Sequence, residues 1–137
     1  MKKIIQYGIL AMAISFLFII TSCHKENKCV AGTGGSVEVV VKLYHHGRLI
    51  PNDSLKPDTV WAKFNVTEWK NAPSGYDMMA IGEAGEDHIH LKDLRCGDYF
   101  LHAAGWDTTG PYVVTGGLNP TIHESTGEVG VDVPVSE

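Results

Sequence analysis

Residues Ser36–Tyr44 form the sequence SVEVVVKLY, in which an apolar residue occupies every second position. These apolar residues are Val37, Val39, Val41 and Leu43. Successive side chains of a β-strand point to opposite faces, so this spacing predicts a strand with one buried and one solvent-facing side. No segment of the remaining chain has a long, periodic 3.6-residue pattern of the helical kind. The chain is therefore predicted to be all-β.

Six further segments have the length and alternation of short strands. They are predicted near 58–66, 76–81, 88–91, 99–103, 111–115 and 128–134. Glycine, proline, asparagine or aspartate residues mark turns and loops between them, notably at 45–48, 49–56, 69–75, 82–87 and 92–98. Seven short strands at this spacing predict an immunoglobulin-like β-sandwich.

The beginning of the chain predicts an export leader. A positive start, Met1–Lys3, precedes the 13-residue apolar run GILAMAISFLFII, which has the length of a signal-peptide core and is too short to span a bilayer. The following Ile-Thr-Ser-Cys sequence resembles the box at which bacterial lipoproteins are cleaved and acylated. On this resemblance, residues 1–22 are the signal peptide and Cys23 carries the palmitate-type anchor. An ordinary signal peptide with a chance cysteine, or an uncleaved anchor, is the alternative.

Cleavage leaves 115 of the 137 residues, which is the size of one domain. Residues 23–35 are polar and then glycine-rich, so they predict a lipidated flexible linker, and residues 36–137 predict the domain. The Lys25-Glu26 pair is similar to a charged tract that directs some Bacteroidetes lipoproteins to the cell exterior. The expected location is the cell envelope, anchored by lipid to the outer membrane, with either side of that membrane open.

The charge balance argues against a nucleic-acid partner. Without Lys2 and Lys3, the 11 basic residues fall to 9 against 16 acidic residues, a formal charge of −7. The basic residues also form no stripe along the sequence that could contact the phosphates of a nucleic acid.

Two cysteines remain if Cys23 carries lipid. Cys29 and Cys96 are then an even pair in an oxidising compartment, and a disulfide between them is expected. It would close a loop of 67 residues. Two free thiols, in an anaerobic host, are the alternative.

The segment 89–103, IHLKDLRCGDYFLHA, has an apolar-x-apolar-x-x-Leu-x-x-Gly-x-Tyr spacing. Together with the glycine that opens the strand at Ser36, this spacing resembles the transthyretin-like and carboxypeptidase-regulatory-like modules over most of residues 35–135. Cys96 stands where those modules usually have proline. The resemblance implies a prealbumin-like sandwich with an accessory role in stability, adhesion or binding, and no catalytic apparatus of its own.

Seven histidines are many for a chain of this length. If the apolar residues of 89–101 point inward, then His88, His90, Phe100 and His102 point outward. Pairing the two strands as a hairpin places His88 opposite His102, although strands of a sandwich can also pass between sheets at this point.

This arrangement predicts a metal site at His88, His90 and His102, because three imidazoles so placed reach one Zn²⁺ or Cu²⁺ ion. Glu86 or Asp87 is then a candidate carboxylate ligand. The alternative is that the histidines are ordinary polar residues of a solvated sheet face. The adjacent pair His45-His46 is a weaker candidate, since neighbours in a strand point to opposite faces.

Tryptophans in two predicted loops, Trp69 and Trp106, suggest an aromatic platform for a protein or glycan ligand; packing against the end of the sandwich is the alternative. The chain has no G-x-S-x-G, phosphate loop or H-E-x-x-H sequence, so no enzyme is predicted. The predicted function is a membrane-anchored, non-enzymatic binding or adhesion module. A zinc- or copper-binding lipoprotein that uses the histidine cluster is the alternative.

Overall fold

A computed structural model of the protein describes residues 29–66 and 75–137. The predicted leader, Cys23 and Trp69 lie outside these residues. The two described ranges contain β-strands, turns and loops, which confirms the all-β class. They hold no helix that could cross a membrane.

Nine strands are present in the described residues, where the sequence predicts seven. In chain order they are β1 Thr33–His45, β2 Arg48–Ile50, β3 Thr59–Phe64, β4 Met78–Ile81, β5 Ile89–Leu94, β6 Gly97–Asp107, β7 Tyr112–Leu118, β8 Thr121–Ile122 and β9 Thr126–Ser136. The additional strands β2 and β8 have three and two residues, too few to show a period in the sequence. The prediction of a loop from residue 49 was therefore wrong at its start, where Leu49 and Ile50 pair with β1.

Strand β1 is the centre of the topology. It pairs in parallel with β9 over ten positions, from Ser36 opposite Thr126 to His45 opposite Val135. Its other edge pairs antiparallel with β5 and β2. From β9 the sheet continues through β7, β6 and β3 to β4, while β8 pairs with β6. Parallel and antiparallel pairing coexist, so the sheet is mixed.

The strands enclose one hydrophobic core. Strands β1 and β6 are not hydrogen-bonded neighbours, yet their inward side chains belong to the same cluster, so the sheet curves around a common interior. The predicted inward residues of β1 and of 89–101 are all buried. The largest fully buried side chains include Leu43, Ile89, Leu91, Leu94, Tyr99 and Leu101.

The connection between β5 and β6 is a tight corner. The Tyr99 hydroxyl donates to the carbonyl oxygen of Arg95 at 2.6 Å and accepts from the amide of Gly32 at 3.2 Å. Gly97 has φ 142°, and a Cβ at this position would lie 2.2 Å from the backbone nitrogen of Ala31. The backbone of Ala31 therefore packs directly against Gly97, where any side chain would collide with it. This close contact explains why glycine is required in the Leu-x-x-Gly-x-Tyr spacing.

A disulfide joins Cys29 to Cys96 at this corner, as expected from the sequence. It holds the beginning of the described chain against the domain, and Ala31 is buried in the core. Strand β1 already begins at Thr33. The linker predicted to end at residue 35 therefore ends earlier, because strand β1 includes residues 33–35. The disulfide and the corner hold in place residues that composition alone assigns to a linker.

The predicted hairpin of β5 with β6 was wrong. Strand β5 pairs with β1, placing Leu91 opposite Val39, whereas β6 pairs with β3 and β7. The corner at Arg95 and Cys96 carries the chain from one edge of the core to another, which is the alternative that the sequence left open. Phe100, predicted to face outward, is completely buried.

Removal of the disulfide tests how much the corner contributes to stability. Replacing both Cys29 and Cys96 by alanine is expected to lower the free energy of unfolding by about 4 kcal/mol, because the unfolded chain regains the entropy of a 67-residue loop. Urea denaturation measures this change. Reduced wild-type protein is the matched comparison and should lose the same amount; an unchanged urea midpoint in both would contradict the prediction.

Candidate functional site

Two of the three predicted histidine ligands lie together. His88 precedes β5 and His90 is its second residue, and their ring centroids are 4.6 Å apart. His90 lies opposite Val40 on the outward face of β1. Both imidazoles are about one quarter exposed, so they are accessible from solvent but are held by neighbouring groups.

His102 is not part of this group, so the predicted set of three histidines was wrong. His102 lies opposite Trp61 of β3 and Gly117 of β7, because β6 does not pair with β5. Its ring packs against Trp61 at 5.6 Å and stacks on Tyr76 at 6.2 Å. Burial among these rings lowers the pKa of His102 by desolvation.

Each remaining histidine has a carboxylate beside its Nδ1 atom. Asp87 Oδ1 lies 2.6 Å from His88 Nδ1, and Glu38 Oε1 lies 2.7 Å from His90 Nδ1. A carboxylate in this position favours the tautomer that carries its proton on Nδ1, which leaves the Nε2 lone pair available. The Asp87 contact is a hydrogen bond, so it prepares His88 to bind through Nε2. His90 Nδ1 lies close to Glu38 but makes no hydrogen bond within the described residues.

A third potential ligand completes the group. Glu86 Oε2 lies 3.8 Å from His88 Nε2, and Glu86, His88 and His90 each offer one ligand atom within 4.8 Å of the others. A tetrahedral ion with bonds of about 2 Å holds its ligand atoms roughly 3.3 Å apart, so side-chain shifts of about 1 Å would close the site. We call Glu86, His88 and His90 the β5 cluster.

The β5 cluster lines a cavity of about 100 Å³ that also contacts Ile81, Glu83 and Lys92. Lys42 Nζ lies 3.3 Å from Asp87, and Lys92 Nζ lies 3.9 Å from Glu38. The hydrogen bond with His88, and then Lys42, lower the pKa of Asp87. The two lysines therefore contact the supporting carboxylates Asp87 and Glu38.

Sequence reasoning missed Glu38 because it lies 52 residues before His90 in the chain. The alternation of β1 places Glu38 on the outward face, which the sequence does show. The sequence does not show that β1 pairs with β5, in a register that sets Glu38 beside His90. Knowledge of this strand pairing would have been needed to identify Glu38.

The outward face of β3, β4, β6 and β7 is rich in apolar and aromatic side chains, and we call it the outer aromatic face. Its register places Trp61 opposite Met79 and His102, and Trp106 opposite Val113. Three of its large apolar residues are more than half exposed: Met79 at 54%, Ile81 at 54% and Val113 at 59%. These three side chains make the face apolar as well as exposed.

Trp106, predicted to lie in a ligand-binding loop, belongs instead to β6. Its ring borders a groove of about 210 Å³ lined also by Pro57, Thr59 and Val113. The Lys56 ammonium group lies 3.1 Å from the centre of the ring and covers one face of it by a cation–π contact. A ligand that stacks on this face of the ring would have to displace Lys56.

A buried carboxyl group lies beside this groove. Asp58 is 2% exposed, and its Oδ1 accepts a hydrogen bond from the Trp106 amide at 3.3 Å. Burial raises the pKa of Asp58 to about 6; the hydrogen bond from Trp106 lowers it and the charge of Asp53 raises it. Asn52 Oδ1 accepts from the Asp58 amide, so the two residues join the loop before β3 to β6.

Comparisons with protein-family models, with curated proteins and with solved structures found no match for this chain.

The raised pKa of Asp58 predicts a specific pH dependence of stability. A carboxyl group whose pKa is 3.8 unfolded and about 6 folded contributes stability below pH 4, and this contribution is lost as the pH rises through 6. Relative to wild type, Asp58→Asn should therefore gain about 2 kcal/mol of unfolding free energy between pH 4 and pH 7. Urea denaturation across this range measures the difference. Asp132→Asn, at an exposed position, is the control; a difference for Asp58→Asn that does not vary with pH would contradict the assignment.

Proposed function

We propose that this protein is a membrane-anchored, non-enzymatic binding module whose ligand is a divalent metal ion of the zinc or copper class, held by the β5 cluster. The proposal is supported by the carboxylates beside the two rings: Asp87 is hydrogen-bonded to His88 Nδ1, and Glu38 Oε1 lies 2.7 Å from His90 Nδ1. Histidines that bind metals in proteins characteristically have such a partner, which orients the ring and increases its basicity. An ordinary solvated sheet face does not require two such pairs beside a third carboxylate.

The ligand set supports zinc or copper over harder ions. Two imidazole nitrogens and one carboxylate oxygen suit Zn²⁺ and Cu²⁺, whereas Mg²⁺ and Ca²⁺ favour oxygen ligands. Three protein ligands leave one position of a tetrahedral ion open. Water, or a group from a bound partner, would occupy that position inside the cavity beside Ile81.

Membrane anchoring is part of the proposal and is supported by the leader and the cysteine box at Cys23. The Cys29–Cys96 disulfide agrees with an exported protein, because disulfides persist in oxidising compartments. Cys23 precedes Cys29 by only six residues, so an acyl chain at Cys23 would hold the domain close to the outer membrane.

We further propose that the fold is a transthyretin-like or immunoglobulin-like β-sandwich. It is supported by the single core shared by β1 and β6 and by the Tyr99 hydroxyl that bonds to the backbone four residues upstream. A tyrosine in a similar role marks a corner of immunoglobulin-like sandwiches.

A second candidate function is the binding of a protein or glycan. The specific observation in its favour is the outer aromatic face, where Met79, Ile81 and Val113 are exposed around Trp61 and Trp106. Aromatic side chains are enriched at binding surfaces, and monomeric proteins rarely leave such residues together in solvent. This face meets the β5 cluster at Ile81, which also lines the cavity of that cluster.

The metal proposal predicts that the full chain, purified in detergent, binds Zn²⁺ with a Kd below about 100 μM by isothermal titration calorimetry. His90→Ala should weaken binding at this site at least about 100-fold, and Glu38→Gln about 10- to 100-fold, because Glu38 only orients His90. His123→Ala, which changes an exposed histidine of another surface, is the control. Equal Zn²⁺ binding by the His90 and His123 variants would reject the β5 cluster.

The anchor has its own test. Cys23→Ser removes the only acceptor for the lipid in the cysteine box, so the protein should move from the membrane fraction to the soluble fraction or remain unprocessed. Cell fractionation and intact-mass measurement distinguish these results from wild type. A variant that stays in the membrane at the processed mass would contradict the lipoprotein assignment.

A further inference from the structure

The turn after β1 brings two histidines together that a strand would separate. His45 is the last residue of β1, and His46 and Gly47 form a two-residue turn into β2. His46 has φ 49° and Gly47 has φ 76°, the left-handed conformation of a type I′ hairpin turn. Alternation therefore stops at His46, and its ring centroid lies 4.2 Å from that of His45.

The His45 ring is fixed by a carboxylate. Asp107, at the end of β6, places Oδ2 2.7 Å from His45 Nδ1. The other carboxylate oxygen of Asp107 accepts from the amide of Thr109 at 2.8 Å and from its hydroxyl at 2.7 Å. His45 and Thr109 together hold the pKa of Asp107 well below its ordinary value. Because Asp107 occupies Nδ1, Nε2 is the free nitrogen of His45.

That free nitrogen lacks a partner. The His45 side chain is 3% exposed, and within the described residues its Nε2 atom is buried without a hydrogen bond. Leaving a buried polar atom unpaired is costly, and such atoms in native structures call for an explanation. Tyr112 packs edge-on against the ring and offers no hydrogen bond to it.

A carboxylate completes the group. Strand β9 runs parallel to β1 and places Val135 opposite His45, so Glu137 follows beside the turn. His45, His46 and Glu137 each offer one ligand atom, and these atoms lie within 4.8 Å of one another. His46 and Glu137 are exposed, so an ion can reach the buried nitrogen from solvent.

We propose that His45, His46 and Glu137 form a second binding site for a divalent metal ion, with Asp107 as a positioning residue for His45. Two imidazoles and one carboxylate are a ligand set that Zn²⁺ accepts, with a fourth position open to water. An ion bound to His45 Nε2 would give a partner to a buried nitrogen that has none in the described part of the chain. The site shares no residue with the β5 cluster and does not depend on it.

The experiment is a Zn²⁺ titration of the full chain in detergent, with binding stoichiometry read by calorimetry. His88→Ala/His90→Ala removes the β5 cluster and should leave one Zn²⁺ bound per chain. Adding His46→Ala to this background should weaken the binding of the remaining Zn²⁺ at least about 100-fold. Adding His123→Ala instead is the matched control and should have no effect. His46 and Glu137 are exposed, so the test does not require a change in the core.

The outcomes separate the two sites. One Zn²⁺ in the His88→Ala/His90→Ala protein that is lost with His46→Ala supports the second site. No Zn²⁺ in that protein, with one in wild type, overturns the second site and leaves the β5 cluster standing. If Zn²⁺ is retained after His46→Ala, the ion lies elsewhere and this site is rejected.

Glu137→Gln in the same background should also weaken Zn²⁺ binding, and Asp107→Asn should weaken it about 10- to 100-fold. Thermal unfolding of each metal-free variant reports any structural loss separately.

Discussion

The pairing of β1 with its neighbours is the constraint on which the remaining structure depends. Its inward valines form part of the core, and it is hydrogen-bonded to β9 along one edge and to β5 and β2 along the other. The same alternation that buries Val39 and Val41 turns Glu38 and Lys42 outward, toward His90 and Asp87 respectively. One strand therefore supplies both the hydrophobic driving force for folding and the polar side chains that support the β5 cluster.

The two histidine groups are built on the same principle, although they lie at different places on β1. In both, a carboxylate from another part of the chain contacts Nδ1 of a histidine: Glu38 contacts His90, and Asp107 contacts His45. The difference lies in burial. The β5 cluster is partly exposed and borders a cavity, whereas His45 is buried and only its neighbouring ligands reach solvent. Exchange of an ion should therefore be easier at the β5 cluster.

Local periodicity was sufficient to predict the all-β class and the inward residues of β1 and β5, because alternation depends only on neighbouring positions. It failed at Phe100 of β6, which is buried although alternation placed it outward. It did not reveal which strands pair. The prediction that His88 faces His102 failed because the tight corner at Arg95 separates β5 from β6. Glu38 was missed for the same reason, and the neighbours His45 and His46 were judged to point apart because a left-handed turn residue cannot be identified from alternation. The Cys29–Cys96 disulfide was predicted by counting cysteines, which requires no knowledge of which strands pair.

A metal ion at the β5 cluster would be seen in crystals of the protein grown with Zn²⁺, with diffraction recorded above and below the zinc absorption edge. We expect an anomalous peak about 2 Å from the Nε2 atoms of His88 and His90, with Glu86 as a further ligand and Asp87 and Glu38 still beside Nδ1. A zinc-soaked crystal with no anomalous density at these atoms, or with the two rings turned so that Nδ1 leaves its carboxylate, would contradict this expectation.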